Sequence, residues 1–431
     1  MQEIIVQIEK IVPEGKGFAL YENTPVYIVG ALPGEKIKAE IIRKKNNFYE
    51  AKILEILEKS PKRIEPLESH YMSCSPWQII GKNYQEELKS EIIKKCFRSL
   101  AETEIKNLDF ISPENRFHYR NKIEFSFGEN ENGIFLAFHE RGSHKKMLEL
   151  HQGCMLADDQ INQKALEILE LLRKTQIEEF DLKSLIIRKS FYENKTIAIL
   201  FVKNERERVL ELINLVEKSC NIDNFAIALS SYKSPMATID KILFQNGDLN
   251  LIEKVRNIKL KYSIDSFFQN NIEMFEYAIE DMRNFLDDKD IVLELYSGVG
   301  SIGLNIADKV KSILGVEIIE NAVICSNENA KLNKINNFDA IFSMSEKIED
   351  KYFDNISCLI IDPPRTGLHK KVIKKIIENL PPRIIYLSCN PITQSSDFNN
   401  LKEYYNLKFI KGYDFYPNTP HMECLIILEK K

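Results

Sequence analysis

The chain lacks most of the features that would place it outside the ordinary globular classes. Its 431 residues include one tryptophan, 16 glycines and 15 prolines, too few and too scattered for a collagenous, proline-rich or low-complexity chain. Nowhere do about 18 apolar residues run together, and the Met1-Gln2-Glu3-Ile4-Ile5 start has no basic segment leading into an apolar one, so neither a membrane span nor a signal peptide is expected. A cytoplasmic location without a membrane partner follows as an expectation. The eight cysteines (74, 96, 154, 220, 325, 358, 389 and 424) contain no CxxC pair, which argues against a disulfide framework and a zinc ribbon and leaves reduced thiols. A strong charge of one sign is also missing. The formal charge is −5, so a polyanionic partner has to be met by a local basic surface and not by the overall field. What is there is 44% hydrophobic and 29% charged residues, in a chain long enough for two or three domains with their own cores.

Residues 1–60 alternate in the manner of short strands: Ile4-Val6-Ile8, Phe18-Leu20, Val26-Ile28, Ile37-Ala39-Ile41 and Ala51-Ile53-Ile56, with turns at Gly15-Lys16-Gly17 and Leu32-Pro33-Gly34-Glu35. Five short strands joined by tight turns predict a small OB-like barrel. The cluster from Arg43 and Lys44 to Phe48 and Tyr49 sets bases beside aromatics, the mixture that holds RNA by phosphate contact and stacking. The "EGKGFA" and "LPGE" turns with this strand pattern resemble a TRAM domain, an RNA-binding barrel attached to several RNA-modifying enzymes. A solvated hairpin on a structural barrel is the competing reading.

The segment 61–260 reads as an α+β domain. It begins with a stretch holding Cys74 and Trp77, then a helical pattern over 84–100 whose apolar residues Leu88, Ile92, Ile93, Cys96, Phe97 and Leu100 share one face; that helix is expected to pack on a neighbouring domain. Apolar-alternating runs flank Asn132-Gly133, a strong hairpin signal. Two basic and aromatic clusters bracket the hairpin: Arg116 to Arg120, Asn121 and Lys122, and His139 to Lys146. These are candidate RNA contacts, with solvated faces as the competing reading. Two amphipathic helices near 161–173 and 206–218 and strands such as 185–188, 197–202 and 225–229 complete the segment.

From about residue 261 strands alternate with helices, the pattern of a doubly wound, mostly parallel sheet. Ile291 to Leu295 and Tyr296 lead into Ser297-Gly298-Val299-Gly300-Ser301-Ile302-Gly303, and the next strand ends on Glu317, a carboxylate suited to ribose hydroxyls. Those two motifs fit an NAD-dependent dehydrogenase as well as an S-adenosylmethionine enzyme. The next strand ends in Asp362-Pro363-Pro364, a loop dehydrogenases have no reason to carry, and this favours methyl transfer. The run Arg383 to Ser388 reads as a buried strand with Cys389 at its carboxyl end, the rim at which open α/β sheets bind ligands. An isolated intracellular cysteine is most often a small buried hydrophobe. Here, however, the last two strands form a hairpin, so the final one runs antiparallel and its start, with His421 and Glu423, is expected on the same rim as the glycine loop, Glu317, Asp362 and Cys389.

Across nearly its whole length the chain resembles the RNA (uracil-5-)-methyltransferase family, in particular TRAM-bearing members that modify 23S ribosomal RNA. The motifs "FFQNN" (267–271), "ELYSGVGSIGL" (294–304), "GVE" (315–317), "DPPRTG" (362–367), "SCNP" (388–391) and "FYPNTPHME" (415–423) occur in family order. The resemblance implies a class I S-adenosylmethionine-dependent domain over 261–431, with Gln269, Tyr296, Gly298, Gly300, Ser301, Glu317 and Asp362 toward the cofactor, Cys389 as nucleophile and Glu423 as base. A monomer acting on RNA is expected, with a tRNA uridine or an RNA cytosine as alternative targets. Cytosine-5 enzymes carry a cysteine where Arg365 stands. Family members often hold an iron–sulfur cluster on three close cysteines after the barrel and a fourth further on. Here only Cys74 and Cys154 remain in those regions, so no cluster and no metal is expected, with Cys74 read as packing. Ser301 also replaces an asparagine common at its position.

Overall fold

The computed structural model describes residues 2–141, 147–219, 222–231, 237–264 and 266–431. The chain falls into two compact units, Met1–Glu114 with Glu349–Lys431, and Asn115–Ile348. These group the segments differently from a division at 60 and 260: the barrel and the helix after it join the last part of the chain, and the central segment joins the strands around the glycine loop.

In the first unit, six strands lie in the order Gln2–Gln7, Lys36–Lys45, Phe48–Glu58, Thr24–Ile28, Gly17–Tyr21 and Lys10–Ile11. Alternation predicts their inward set, and Ile4, Val6, Ala19, Val26, Ile28, Ile37 and Ala39 form the core. The two long strands outrun that alternation because they pair with each other to the tip, Lys45 opposite Phe48. The "LPGE" turn has a polar reason. Glu35 is fully buried, accepting from the Leu32 amide at 2.8 Å and from Arg63 Nη2 at 2.9 Å. A buried charge is tolerated only when paired and hydrogen-bonded in this way.

The helix expected over 84–100 runs Lys82–Leu100 and buries Ile92, Ile93, Cys96 and Phe97. It packs on the helix Pro391–Leu401, with the Phe97 and Phe398 rings 5.9 Å apart. Beside it the strands Cys358–Ile361, Arg383–Ser388, Glu423–Lys430, Tyr405–Tyr413 and Asp109–Ile111 stand in that order. The first two are parallel, Glu423–Lys430 is antiparallel to both its neighbours, and Asp109–Ile111 adds in parallel at the edge. The expected terminal hairpin is present. The edge strand is an addition: three residues, one exposed and two half-buried, give no periodicity to read.

The second unit holds a seven-stranded sheet ordered Met147–Glu149, Gly133–His139, Lys122–Asn130, Leu182–Ser190, Lys195–Val202, Phe225–Leu229 and Lys241–Asn246. The helices Asp159–Leu172 and Glu207–Ser219 contribute Ile168, Leu169, Val209 and Leu212 to its core. The Asn132-Gly133 hairpin forms with Asn130 opposite Gly133, whose φ of 94° suits glycine. The same unit carries three parallel strands, Ile291–Leu295, Ser312–Glu317 and Phe338–Phe342. No helix among the described residues is long and apolar enough to cross a membrane.

Candidate active site

Strand pairing in the first unit explains why distant motifs share a rim. Ser388 pairs with Cys424, so Cys389 stands level with Glu423 on the next strand. Ile361 pairs in parallel with Tyr386, so Asp362 follows at the same end. The loops are braced against each other. Asn390 caps the helix Pro391–Leu401 by accepting from Ile392 N at 3.1 Å and donates to the Arg365 carbonyl at 2.9 Å. Asp397 accepts from the Leu368 amide at 2.9 Å and the Tyr386 hydroxyl at 2.8 Å. Gly367 has a φ of 78°, and a Cβ there would lie 2.8 Å from both Asp397 and Thr393. The "DPPRTG" and "SCNP" loops thus need their asparagine and glycine for position.

The loop carrying His421 and Glu423 is held from the other side. Lys89, fully buried, pairs with Asp414 at 2.6 Å. Gln85 and Asn418 bond reciprocally, at 3.1 Å and 2.9 Å, and Trp77 N donates to the Asn418 carbonyl at 3.0 Å. Trp77 Nε1 donates to the Gly15 carbonyl at 3.3 Å, and a Cβ on Gly15 would lie 2.2 Å from Pro420. The barrel's "EGKG" turn is therefore pressed against the "NTPH" loop.

Electrostatically this rim disfavours charge. Glu423 is 2% exposed, and its Oε2 has no hydrogen-bond partner among the described residues. Burial, then the Asp362 charge, push its carboxyl well above the ordinary range, while Arg365 opposes. Burial also raises Asp362. The half-buried Cys389 thiol is pushed up to about 12, first by burial, then by the charges of Glu423 and Asp362 against the pull of Arg365. With no ligand the thiol is protonated at neutral pH, so it becomes a nucleophile only with a base or an added positive charge nearby. The sequence reading missed Arg365 as a site residue. It is the cation of this rim, with Nη2 3.0 Å from His421 Nδ1, and its only sequence signal was its place after Asp-Pro-Pro.

The second unit presents a nucleotide-type surface. Tyr296 takes a φ of 65°, followed by Gly298 at 55° and Gly300 at 81°. A non-glycine residue there marks a strained turn of the kind found at functional sites. A Cβ on Gly298 would meet only open space. A Cβ on Gly303 would lie 2.4 Å from Glu294, so its absence lets the loop pack on the strand. Ser301 offers its carbonyl to Asn305 at 2.9 Å. Glu317 accepts from the Gly298 amide at 2.9 Å and from the Ile318 and Ile319 amides at 2.8 Å and 2.9 Å, fixing the carboxylate beside the glycine loop with lone pairs to spare for a diol. Ile318, Ile319 and Phe342 at the same strand ends are half or more exposed, an apolar surface suited to a planar base that alternation had not flagged. Gln269 is buried with its Oε1 unpartnered among the described residues. These features fit S-adenosylmethionine. A four-thiolate cluster does not fit the segment 67–78, which offers one cysteine.

The expected RNA-contacting residues divide. Arg43 and Lys44 are exposed at the tip of the long hairpin and Phe48 is half-buried. Lys45 lies over the Phe48 ring at 5.5 Å, Phe48 meets Tyr27 at 5.4 Å, Tyr27 meets Phe18 at 5.9 Å, and Lys10 lies over Phe18 at 4.4 Å. This basic and aromatic strip includes Lys10, Phe18 and Tyr27, which sequence reading did not single out. Arg120 and Lys122 are half-buried. Asn121 is buried and donates to the Gln269 carbonyl at 3.0 Å, so it braces the cofactor-type loop. The run from His139 to Lys146 lies outside the described residues from 142 on.

Comparison with known proteins agrees with this architecture. The tRNA (uracil-5-)-methyltransferase family matches residues 82–431 and the TRAM domain residues 1–54. A Clostridium tetani protein named an uncharacterized RNA methyltransferase is 29% identical, covering 100% of this chain and 98% of its own. A Fusobacterium nucleatum protein of the same description is 29% identical over 99% and 96%. The solved Pyrococcus abyssi tRNA (uracil-54, C5)-methyltransferase, in complex with S-adenosyl-L-homocysteine, superposes with a TM-score of 0.77 at 20% identity, over 99% of this chain and 100% of that one. The shared fold is a class I methyltransferase domain with an OB-like amino-terminal barrel.

Proposed function

From the premise that the chain belongs to the tRNA (uracil-5-)-methyltransferase family, and is an S-adenosylmethionine-dependent RNA (uracil-5-)-methyltransferase, we propose that it methylates C5 of a specific uridine in 23S ribosomal RNA through a covalent adduct with Cys389. The observation that carries the catalytic assignment is the buried Glu423 carboxyl, level with Cys389 and with one oxygen unpartnered among the described residues. A carboxylate left without a partner is costly, and such groups call for a functional reason.

Uracil C5 is a weak nucleophile until a group adds at C6. The Cys389 thiol gives up its proton to solvent and the resulting thiolate bonds to C6, making C5 the carbon end of an enolate. S-adenosylmethionine, when bound, would supply the electrophilic methyl group, and the family resemblance assigns Gln269, Tyr296, Gly298, Gly300, Ser301, Glu317 and Asp362 to holding it. The Glu423 carboxylate then takes the C5 proton, the C6–sulfur bond breaks, and the thiolate leaves. Burial raises its pKa, which makes its anion a stronger base than an exposed carboxylate. A stacked uridine exposes neither atom, so the target is flipped or lies in a loop. Arg43, Lys44 and Phe48 on the barrel, with Arg120 and Lys122, are assigned to RNA contact, and the protein to action as a cytoplasmic monomer.

The choice of 23S ribosomal RNA rests on the resemblance to TRAM-bearing ribosomal RNA enzymes. The Pyrococcus abyssi enzyme named above acts on tRNA, which makes tRNA the second reading. Mass-spectrometric mapping of 5-methyluridine in both RNAs, from a strain with and without the gene, decides. Loss of a 23S mark is expected; loss of a tRNA mark alone overturns the substrate assignment. Thermal melting tests the cofactor: ligand at 100 times its Kd stabilises by about 2.7 kcal/mol, so S-adenosylhomocysteine raises the melting temperature and NADH does not.

A further inference from the structure

The segment joining the barrel to the helix Lys82–Leu100 holds donors that the reaction does not use. Its base is closed by the bridge between Arg63 and Ile80 and by the Ile64 amide on the Ile79 carbonyl at 2.8 Å. Connections this long are uncommon without a function or a staple of their own. Inside it, one ligand atom each from Glu68, His70 and Cys74 lies within 4.8 Å of the others. The short helix Tyr71–Cys74 sets His70 at its N-cap and Cys74 one turn on, the spacing that brings two side chains to one helix face. Glu68 and His70 are at most 9% exposed, and Glu68 Oε1 is 3.1 Å from His70 Nε2. A tetrahedral ion bonded to both, at about 2.0–2.1 Å each, holds such atoms roughly 3.3 Å apart.

We propose that Glu68, His70 and Cys74 bind one zinc-class divalent ion, which staples the segment between barrel and helix. The mixed oxygen, nitrogen and sulfur donors suit zinc over magnesium or calcium, which prefer all-oxygen sets. The fourth position is open to water or to a ligand from elsewhere in the chain. A supporting layer is present. Gln78, 3% exposed, donates to Glu68 Oε2 at 2.7 Å, leaving Oε1 for the metal, and to Ser75 Oγ at 2.7 Å. That hydroxyl is 3.0 Å from the Cys74 sulfur. One buried amide thus orients two of the three ligands, the arrangement that tunes metal sites from behind. The sequence reading, which gave Cys74 to packing, could not see it because the carboxylate and imidazole belong to no cysteine motif.

The test uses the full untagged chain without RNA or S-adenosylmethionine, so it stands apart from the methyltransferase reading. After dialysis in metal-free buffer, elemental analysis is expected to find about one zinc per chain, the count of a mononuclear site. Cobalt(II) exchanged for the zinc is expected to give tetrahedral visible bands and a thiolate-to-cobalt charge-transfer band. Cys74→Ser and His70→Ala weaken binding by more than tenfold, Gln78→Leu by about 10–100-fold, and the control Cys325→Ser leaves it unchanged. Absence of the charge-transfer band in the unaltered protein overturns the proposal, whatever the variants do. So do undiminished affinity in Cys74→Ser and the finding of about four irons with labile sulfide.

Discussion

Replacing Glu423 with glutamine separates what the carboxyl does for the reaction from what it costs the fold. The glutamate's folded pKa lies above the ordinary 4.5, because burial and the Asp362 charge both disfavour its anion. Between the unfolded and folded values the folded chain binds more protons than the unfolded one, so stability falls as pH rises through that window. Above it the whole penalty is present; below about 4.5 it vanishes. The amide keeps the size and polarity but carries no charge, so it escapes the extra cost of an unpaired buried anion, about 1–3 kcal/mol, and a unit of 150–250 residues responds by about 2–4 °C per kcal/mol. Glu423→Gln is therefore expected to melt roughly 2–12 °C higher than the unaltered protein at pH 8, with the gap closing toward pH 5, by scanning fluorimetry without ligands. The same variant keeps Cys389, so addition and methylation proceed while elimination stalls. A covalent RNA–protein species then accumulates on denaturing gels and is lost in the Cys389→Ala, Glu423→Gln double variant. A Glu423→Gln variant melting at or below the unaltered protein at pH 8 would refute the electrostatic reasoning. Normal turnover would move the base elsewhere, with His421 next in line.

Arg365→Gln removes the cation that lowers both Cys389 and Glu423; the thiolate then needs a higher pH, so the rising limb of kcat/KM against pH moves alkaline, and at a fixed pH on that limb the rate drops roughly tenfold for each pH unit the limb has moved. An unmoved limb counts against Arg365. Phe48→Ala takes a stacking face from the barrel and raises the RNA Kd roughly 5- to 150-fold, the equivalent of about 1–3 kcal/mol, while the melting shift from S-adenosylhomocysteine stays as it was; equal loss of both marks the residue as structural. Lys89→Met strands Asp414 as a buried charge and costs about 3–5 kcal/mol in urea unfolding, most of it recovered in Lys89→Met, Asp414→Leu, and an additive double variant would show that the pair is not coupled.

What the sequence made legible was what repeats or punctuates. Alternation over Ile37, Ala39 and Ile41 and the 3.6-residue period through Ile92, Ile93, Cys96 and Phe97 named the faces that are buried. Asn132-Gly133 named its hairpin, and the buried runs before Asp362 and Cys389 named the strands Cys358–Ile361 and Arg383–Ser388. The antiparallel last strand put Glu423 beside the Cys389 position by topology alone. Burial could not be read for a polar residue in a basic run: Asn121 looked like a nucleic-acid contact between Arg120 and Lys122, yet its amide is taken up by the Gln269 carbonyl.

Periodicity says which face is covered and never by what, so the partners that hold the catalytic loop were out of reach. Lys89 sits on the apolar face of its helix, where a lysine reads as a snorkelling side chain. Its ammonium is instead fully buried on Asp414, 325 residues away. Gln85 and Asn418 are 333 residues apart, and Gly15 meets Pro420 through the one tryptophan's neighbourhood. Each contact ends on the segment 414–420 that leads into Glu423. A buried ion pair of this kind is weak evidence for stability, since well-packed apolar residues often do as well. Its directional bonds do what an apolar patch cannot, because they fix one register of the loop. On the proposed mechanism the base must stay within hydrogen-bond reach of a proton on a substrate that is absent when the chain folds. The barrel turn, the tryptophan and the helix after it therefore act as positioning elements for the loop that leads to Glu423.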